Sequence, residues 1–241
     1  MYKLLEPKFY KNIDSSHCVQ ACLKSLFSIL LPDRTFSWKA LEELTEYMPG
    51  HGAWVYPELL AMNQLGVEAH FTTGFDCRRF ISEGFDCIED EYGKEVADYE
   101  RAHPHDYKKI QRQMQEALDK HLIVERPGTK DDIVEHINNE WYVMLLVNSK
   151  VLNNKQGCTG HRILAYGYDD SGVIVHDPGS THAQAGRRIS WDLLEKAWAY
   201  PNENAKEMLA VRSSDNLIRS IASRHALRMI MAKRRTSLPA S

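Results

Sequence analysis

A nucleophile, a base and an acidic group that holds the base are all present in this chain, each in a local context suited to its role. Cys18 stands at the start of a predicted helix. The thiolate is the reactive form of cysteine, and a helix N-terminus favours negative charge, so the position lowers the thiol pKa on electrostatic grounds. His161 follows Thr159-Gly160 and opens a predicted strand, where rigid backbone aims an imidazole for general-base work. Asp177 ends the following strand within His176-Asp177-Pro178-Gly179. If the two strands pair across a tight turn, His161 and Asp177 become cross-strand neighbours. A carboxylate there would fix the imidazole in one tautomer while the ring takes a proton from a thiol.

The elements that must position these groups are legible in the periodicity. Residues 17–30 carry Val19, Cys22, Leu23, Leu26, Phe27 and Leu30 at helical spacing, with Asp14, Ser15 and Ser16 as N-cap candidates and Pro32 beyond the end. Cys22 lies one turn after Cys18 and is read as core. Further helices are expected over 37–48, with Ser37 as cap, over 57–65, closed by Gly66, and over 106–120 and 129–139, where Thr129 and Asp132 form a capping box. Residues 74–104, acidic and glycine-containing with Gly-Phe-Asp-Cys twice, read as an irregular insert that could cover a cleft and set specificity. Strands are expected over 67–71, 141–147, 162–168 and 173–177, the last two joined by the turn Asp169-Asp170-Ser171-Gly172. A short helix over 190–198 and a strand over 208–211 follow. Helices first and an antiparallel β cluster after give an α+β class.

Composition is consistent with one folded body. The chain has 241 residues, 43% apolar and 26% charged, and a chain of this length buries roughly 70–75% of its unfolded surface without staples. Five cysteines, an odd number at low density, read as free thiols. No apolar run reaches membrane-span length and the first residues lack a secretory leader, so the expected compartment is the cytoplasm. Charge is divided. From Arg212 onward seven basic residues face one acidic residue, a net of +6, while the preceding residues carry a net of −9. The expected domains are therefore a catalytic body over 1–211 and a basic helical tail over 212–241. Leu217, Ile218, Ile221, Ala222, His225 and Met229 sit near helical spacing in that tail. Docking on the acidic body is the first reading of it, and contact with a membrane surface the second.

Cys18-Val-Gln-Ala-Cys-Leu, Gly160-His161-Arg-Ile-Leu-Ala-Tyr-Gly-Tyr-Asp-Asp and Gly172-Val-Ile-Val-His-Asp177-Pro-Gly together resemble the C39-like branch of papain-like cysteine peptidases. The resemblance implies a papain-like fold over most of residues 5–211, with an N-terminal helical part packed on an antiparallel sheet. It implies Cys18 as nucleophile, His161 as base and acid, and Asp177 as orienter. It also assigns Asn12, six residues before the cysteine where the family usually has glutamine, as oxyanion donor. Two departures stand out: Asn12 is one methylene shorter than that glutamine, and His17-Cys18-Val19 replaces the usual Asp-Cys-Gly.

The implied function is a cysteine peptidase or amide hydrolase working through a thioester on a peptide or protein substrate. An acyltransferase using the same thioester and a non-catalytic peptide-binding module are the alternatives. No cofactor is implied. Cys158-x-x-His161 has half the spacing of a metal site but no second pair, so no metal is expected. No phosphate-cradling glycine loop is present, and an acidic body opposes nucleic-acid binding.

Overall fold

The structure is a computed structural model, and it describes residues 1–103, 105–179 and 181–214. The elements in chain order are β1 (Tyr2–Lys3), α1 (Cys18–Leu30), α2 (Trp38–Leu44), α3 (Val55–Gln64), β2 (Val67–Thr73), α4 (Cys77–Glu83), α5 (Phe85–Tyr92), α6 (Lys94–Arg101), α7 (Tyr107–Asp119), β3 (Ile123–Glu125), α8 (Lys130–Asn138), β4 (Tyr142–Asn148), α9 (Ser149–Leu152), β5 (Gly160–Asp169), β6 (Gly172–Asp177), β7 (Gln184–Ser190), α10 (Trp191–Trp198) and β8 (Met208–Ser213). The expected tail helix over 217–229 lies outside the described residues.

The strands form one sheet in the order β3-β2-β8-β4-β5-β6-β7, with β1 pairing to β5. Every pairing is antiparallel except β2 with β3. The two faces carry separate cores. On one, Tyr142, Met144, Leu164 and Leu209 pack against Leu23, Leu26, Phe27, Leu59 and Met114 from α1, α3 and α7. On the other, Val143, Leu145, Ile163 and Val175 meet Ile133, Ile137, Leu194 and Trp198 from α8 and α10. Burial on both faces explains why the Tyr142–Val147 run is apolar throughout rather than alternating.

α1 forms because its apolar residues recur on one side, and Leu23, Leu26 and Phe27 are fully buried there. Burial of each such side chain contributes roughly 1.5–3 kcal/mol. Its N-cap is His17, not Asp14, Ser15 or Ser16. Asp14 still serves the helix end, since its Oδ1 accepts the backbone N–H groups of Ser16 (2.6 Å) and His17 (3.1 Å). The Thr129–Asp132 capping box of α8 forms as expected.

Residues 74–104 are not irregular: they build α4, α5 and α6. Asp76 caps α4 by accepting from the Arg79 N–H, and Gly84 and Gly93, at φ +65° and +90°, separate the three helices. A left-handed residue cannot continue a helix, and glycine adopts that conformation without a Cβ penalty. Each helix buries only one or two side chains, such as Phe80, Cys87, Ile88 and Ala97, too few to show a period. The strands β1, β3 and β7 also lie beyond what the pattern predicts. β7 buries only Ile189 along its length, so its sequence lacks the alternation of a core strand.

Candidate active site

β5 and β6 bring His161 and Asp177 together, though not as direct cross-strand partners. From the turn, Asp169 pairs with Gly172, Tyr168 with Val173 and Gly167 with Ile174. A bulge between Ala165 and Gly167 then shifts the register by one, so Ala165 faces Val175 and Leu164 faces His176. A one-residue shift moves every later side chain to the other face. Without the bulge Asp177 would share a face with Leu164. With it, Asp177 shares the face of Ile163 and His161 and reaches His161 diagonally. The His161 Nε2 donates to Asp177 Oδ1 at 2.7 Å.

Asp177 is buried and fully occupied. Its Oδ1 also accepts the Gly179 N–H at 3.0 Å, and its Oδ2 accepts from Arg187 Nη1 at 2.6 Å. Burial alone would raise its pKa, but the His161 hydrogen bond and charge, with help from Gly179 and Arg187, bring it below the usual carboxylate value. Arg187 is in turn fixed by Asn153 Oδ1 (3.0 Å) and the Leu152 carbonyl (2.7 Å). Sequence reasoning missed this arginine, because it lies on the polar strand β7 whose register the pattern did not reveal.

With Nε2 committed to Asp177, the ring nitrogen left to meet a thiol is Nδ1. Cys18 is the first residue of α1 and partly exposed, and it lies near enough to His161 for the two side chains to influence each other's ionisation. Burial works against ionisation of this thiol, yet the neighbouring His161 side chain, above all, and the Arg162 backbone lower its pKa. Burial likewise disfavours the imidazolium, but bonds to Asp177 and Cys18 outweigh it and raise His161 to about 9. The two shifts run in opposite directions, each favouring the charged form of its group. Cys22 is buried with its thiol pushed well up, and it donates to the Arg162 carbonyl at 3.5 Å, which is the core role expected of it.

Asn12 is buried on the same cleft as His161. Its Oδ1 accepts the N–H groups of Asp14 (3.2 Å) and His17 (3.1 Å), and its own N–H donates to the Pro178 carbonyl at 2.9 Å. Two donors on Oδ1 fix the amide orientation and leave the NH2 as the free donor end. The Gln20 amide is turned into the core, where it donates to Thr45 Oγ1 at 2.6 Å. His17, also missed in the sequence, ties the entry of α1 to the body, with Nδ1 2.8 Å from Asp14 and Nε2 3.0 Å from Glu42.

The cleft beside His161 has a volume of about 280 Å³ and is bounded by Asn12 and Ser15 on one side and by residues of α9, the loop before β5 and the segment after β6 on the other. Cys18 does not itself line this cleft, and a second depression of about 310 Å³ is bounded by Gly74, Phe75, Asp76 and Glu125. Among the described residues no group of three His, Cys, Asp or Glu side chains is placed to hold a metal ion. None of the described helices is long and apolar enough to cross a membrane.

No family model and no curated protein matches the chain. Solved structures do match, among them the following two. The peptidase domain of Streptococcus ComA, a bifunctional ABC transporter involved in quorum sensing, is 15% identical, with 89% of this chain and 100% of that one covered at a TM-score of 0.44. A chain from Bacillus anthracis described as a C39-like peptidase is 14% identical, with 44% and 60% covered at a TM-score of 0.29. At that distance neither match decides activity, which has to be read from the side chains.

Proposed function

We propose that this chain is a papain-like cysteine peptidase of the C39-like kind, cleaving an amide bond of a peptide or protein through a Cys18 thioester. The observation that carries the reading is the 2.7 Å His161–Asp177 hydrogen bond, supported by Cys18 at the start of α1 with its thiol shifted down and the imidazole shifted up by their mutual interaction. In this reading Cys18 is the nucleophile, His161 its base and Asp177 the group that orients the base.

In this mechanism the Cys18 thiolate attacks the carbonyl carbon and its oxygen takes the negative charge. The Asn12 NH2 and the Cys18 backbone N–H donate to that oxyanion. The imidazolium of His161 gives its proton to the departing amine as the C–N bond breaks, leaving an acyl-Cys18 thioester. His161, now neutral, takes a proton from water as the water oxygen attacks the thioester. Cys18 departs as thiolate and the carboxylic acid product is released. Asp177 stays ionised throughout and holds the ring.

The test is capture of the acyl-enzyme. Incubation with a peptide library, acid quenching and intact-mass analysis should show peptide-derived adducts that map to Cys18 and vanish in Cys18→Ala. Peptides that bind without any cleavage or adduct would identify a binding module instead.

A further inference from the structure

The cleft that His161 and Asn12 share has a wall of one charge sign. Lys150 on α9, Lys155 in the following loop and His182 after β6 line it, alongside Asn153, Thr159 and Thr181, and no described lining residue is acidic. Lys155 Nζ lies 3.0 Å from His182 Nε2, so the groups are gathered rather than scattered. Neither lysine is part of an ion pair among the described residues. The stretches that line this wall, within 149–161 and at 179 and 181–182, contain no Asp or Glu, although the body to residue 211 has nine more acidic than basic side chains. Nearby carboxylates are already committed. Asp177 is held by His161, Gly179 and Arg187, and Asp14 is turned onto Ser16 and His17.

A like-signed cleft in a low-dielectric wall concentrates ligands of the opposite sign. We infer that the substrate is an acidic peptide, which places a carboxylate against Lys150 and Lys155 close to the scissile bond, with His182 accepting from and positioning the Lys155 ammonium. This inference rests on Cys18 being the nucleophile, and it adds the charge class of what reaches it.

Alkylation of Cys18 tests it without knowledge of the substrate. Iodoacetate and iodoacetamide react with the same sulfur but differ by one carboxylate. Rates at Cys18 are read by peptide mass mapping for the intact chain, for Lys150→Gln and Lys155→Gln singly, and for the double variant. The ratio of iodoacetate to iodoacetamide rate should fall roughly three- to tenfold in the double variant and partway in each single one, while the iodoacetamide rate itself stays put. Both lysines reach solvent, and an unchanged iodoacetamide rate confirms an intact site. Raising salt should lower the ratio in the unmodified chain as well. A ratio that the lysine substitutions leave unchanged, with Cys18 still reactive, overturns the inference and spares the peptidase reading. A Cys18 that neither reagent labels overturns both.

Discussion

At the scale of single residues, Asn12 and Arg187 each do two things that substitution can separate. Asn12 holds the amides of Asp14 and His17 with its oxygen and offers its NH2 to the cleft. Asn12→Asp keeps the acceptor and removes the donor. It should fold as before, with kcat falling about 100-fold or more, the usual effect of one lost oxyanion donor. Steady-state kinetics beside a thermal melt checks this, and a melt that collapses along with activity would mean the contact to α1 matters more than the donor. Arg187 binds the orienting carboxylate and is itself held by Asn153 and the Leu152 carbonyl. In Arg187→Met the Asp177 Oδ2 loses its 2.6 Å partner, so the Asp177 pKa rises. A carboxylate with a lowered folded pKa contributes stability above its unfolded value and loses it as pH falls. The variant should therefore lose stability most at neutral pH, by about 2 kcal/mol, and less near pH 3. The acid limb of its activity profile should also move to higher pH.

At the scale of elements, the site depends on a bulge and on a close approach. The bulge at Ala165/Gly167 puts Asp177 and His161 on one face. Beyond β6, Gly179 comes so near that an added Cβ would sit 3.1 Å from Asp177 Oδ1 and 3.7 Å from His161 Nε2. Gly179→Ala should therefore push the carboxylate off the imidazole and lower kcat about tenfold or more with little loss of melting temperature. An unchanged kcat would show that the loop yields freely. This scale is also where sequence reading stops. The Cys18 helix, the hairpin at Asp169–Gly172 and the meeting of His161 with Asp177 were legible, because periodicity, capping and turn chemistry are local. The diagonal geometry was not, since a bulge at Tyr166–Gly167 leaves no local signature in an apolar strand. Arg187 was hidden on a polar edge strand. The three insert helices were hidden by burying so few residues each.

At the scale of the whole molecule, the same strand that presents His161 carries a buried charge cluster on its other face. Arg162 is buried, with Nη2 3.5 Å from Glu207 Oε2 and Nη1 unpartnered. Glu58 on α3 is buried with both carboxylate oxygens unpartnered. Burial, only partly offset by the Arg162 charge, pushes Glu58 up to about 7. The folded state thus keeps a proton that the unfolded chain releases near pH 4.5. Stability falls between pH 4.5 and 7 and stays low above. Glu58→Gln should remove that slope and exceed the parent by about 2 kcal/mol at pH 8 in denaturant titrations. Equal slopes in both chains would refute the buried acid.

The reactivity of the five thiols as a function of pH probes the thiolate–imidazolium pair most directly. The thiols of Cys22, Cys77, Cys87 and Cys158 are all pushed up, Cys77 and Cys87 to about 12, whereas Cys18 is pushed down. Iodoacetamide labelling at pH 6, mapped by mass spectrometry, should find Cys18 modified far ahead of the exposed Cys158, and His161→Ala should erase that lead. Labelling of Cys158 first at pH 6, with Cys18 silent until alkaline pH, would contradict the pairing on which the proposed chemistry depends.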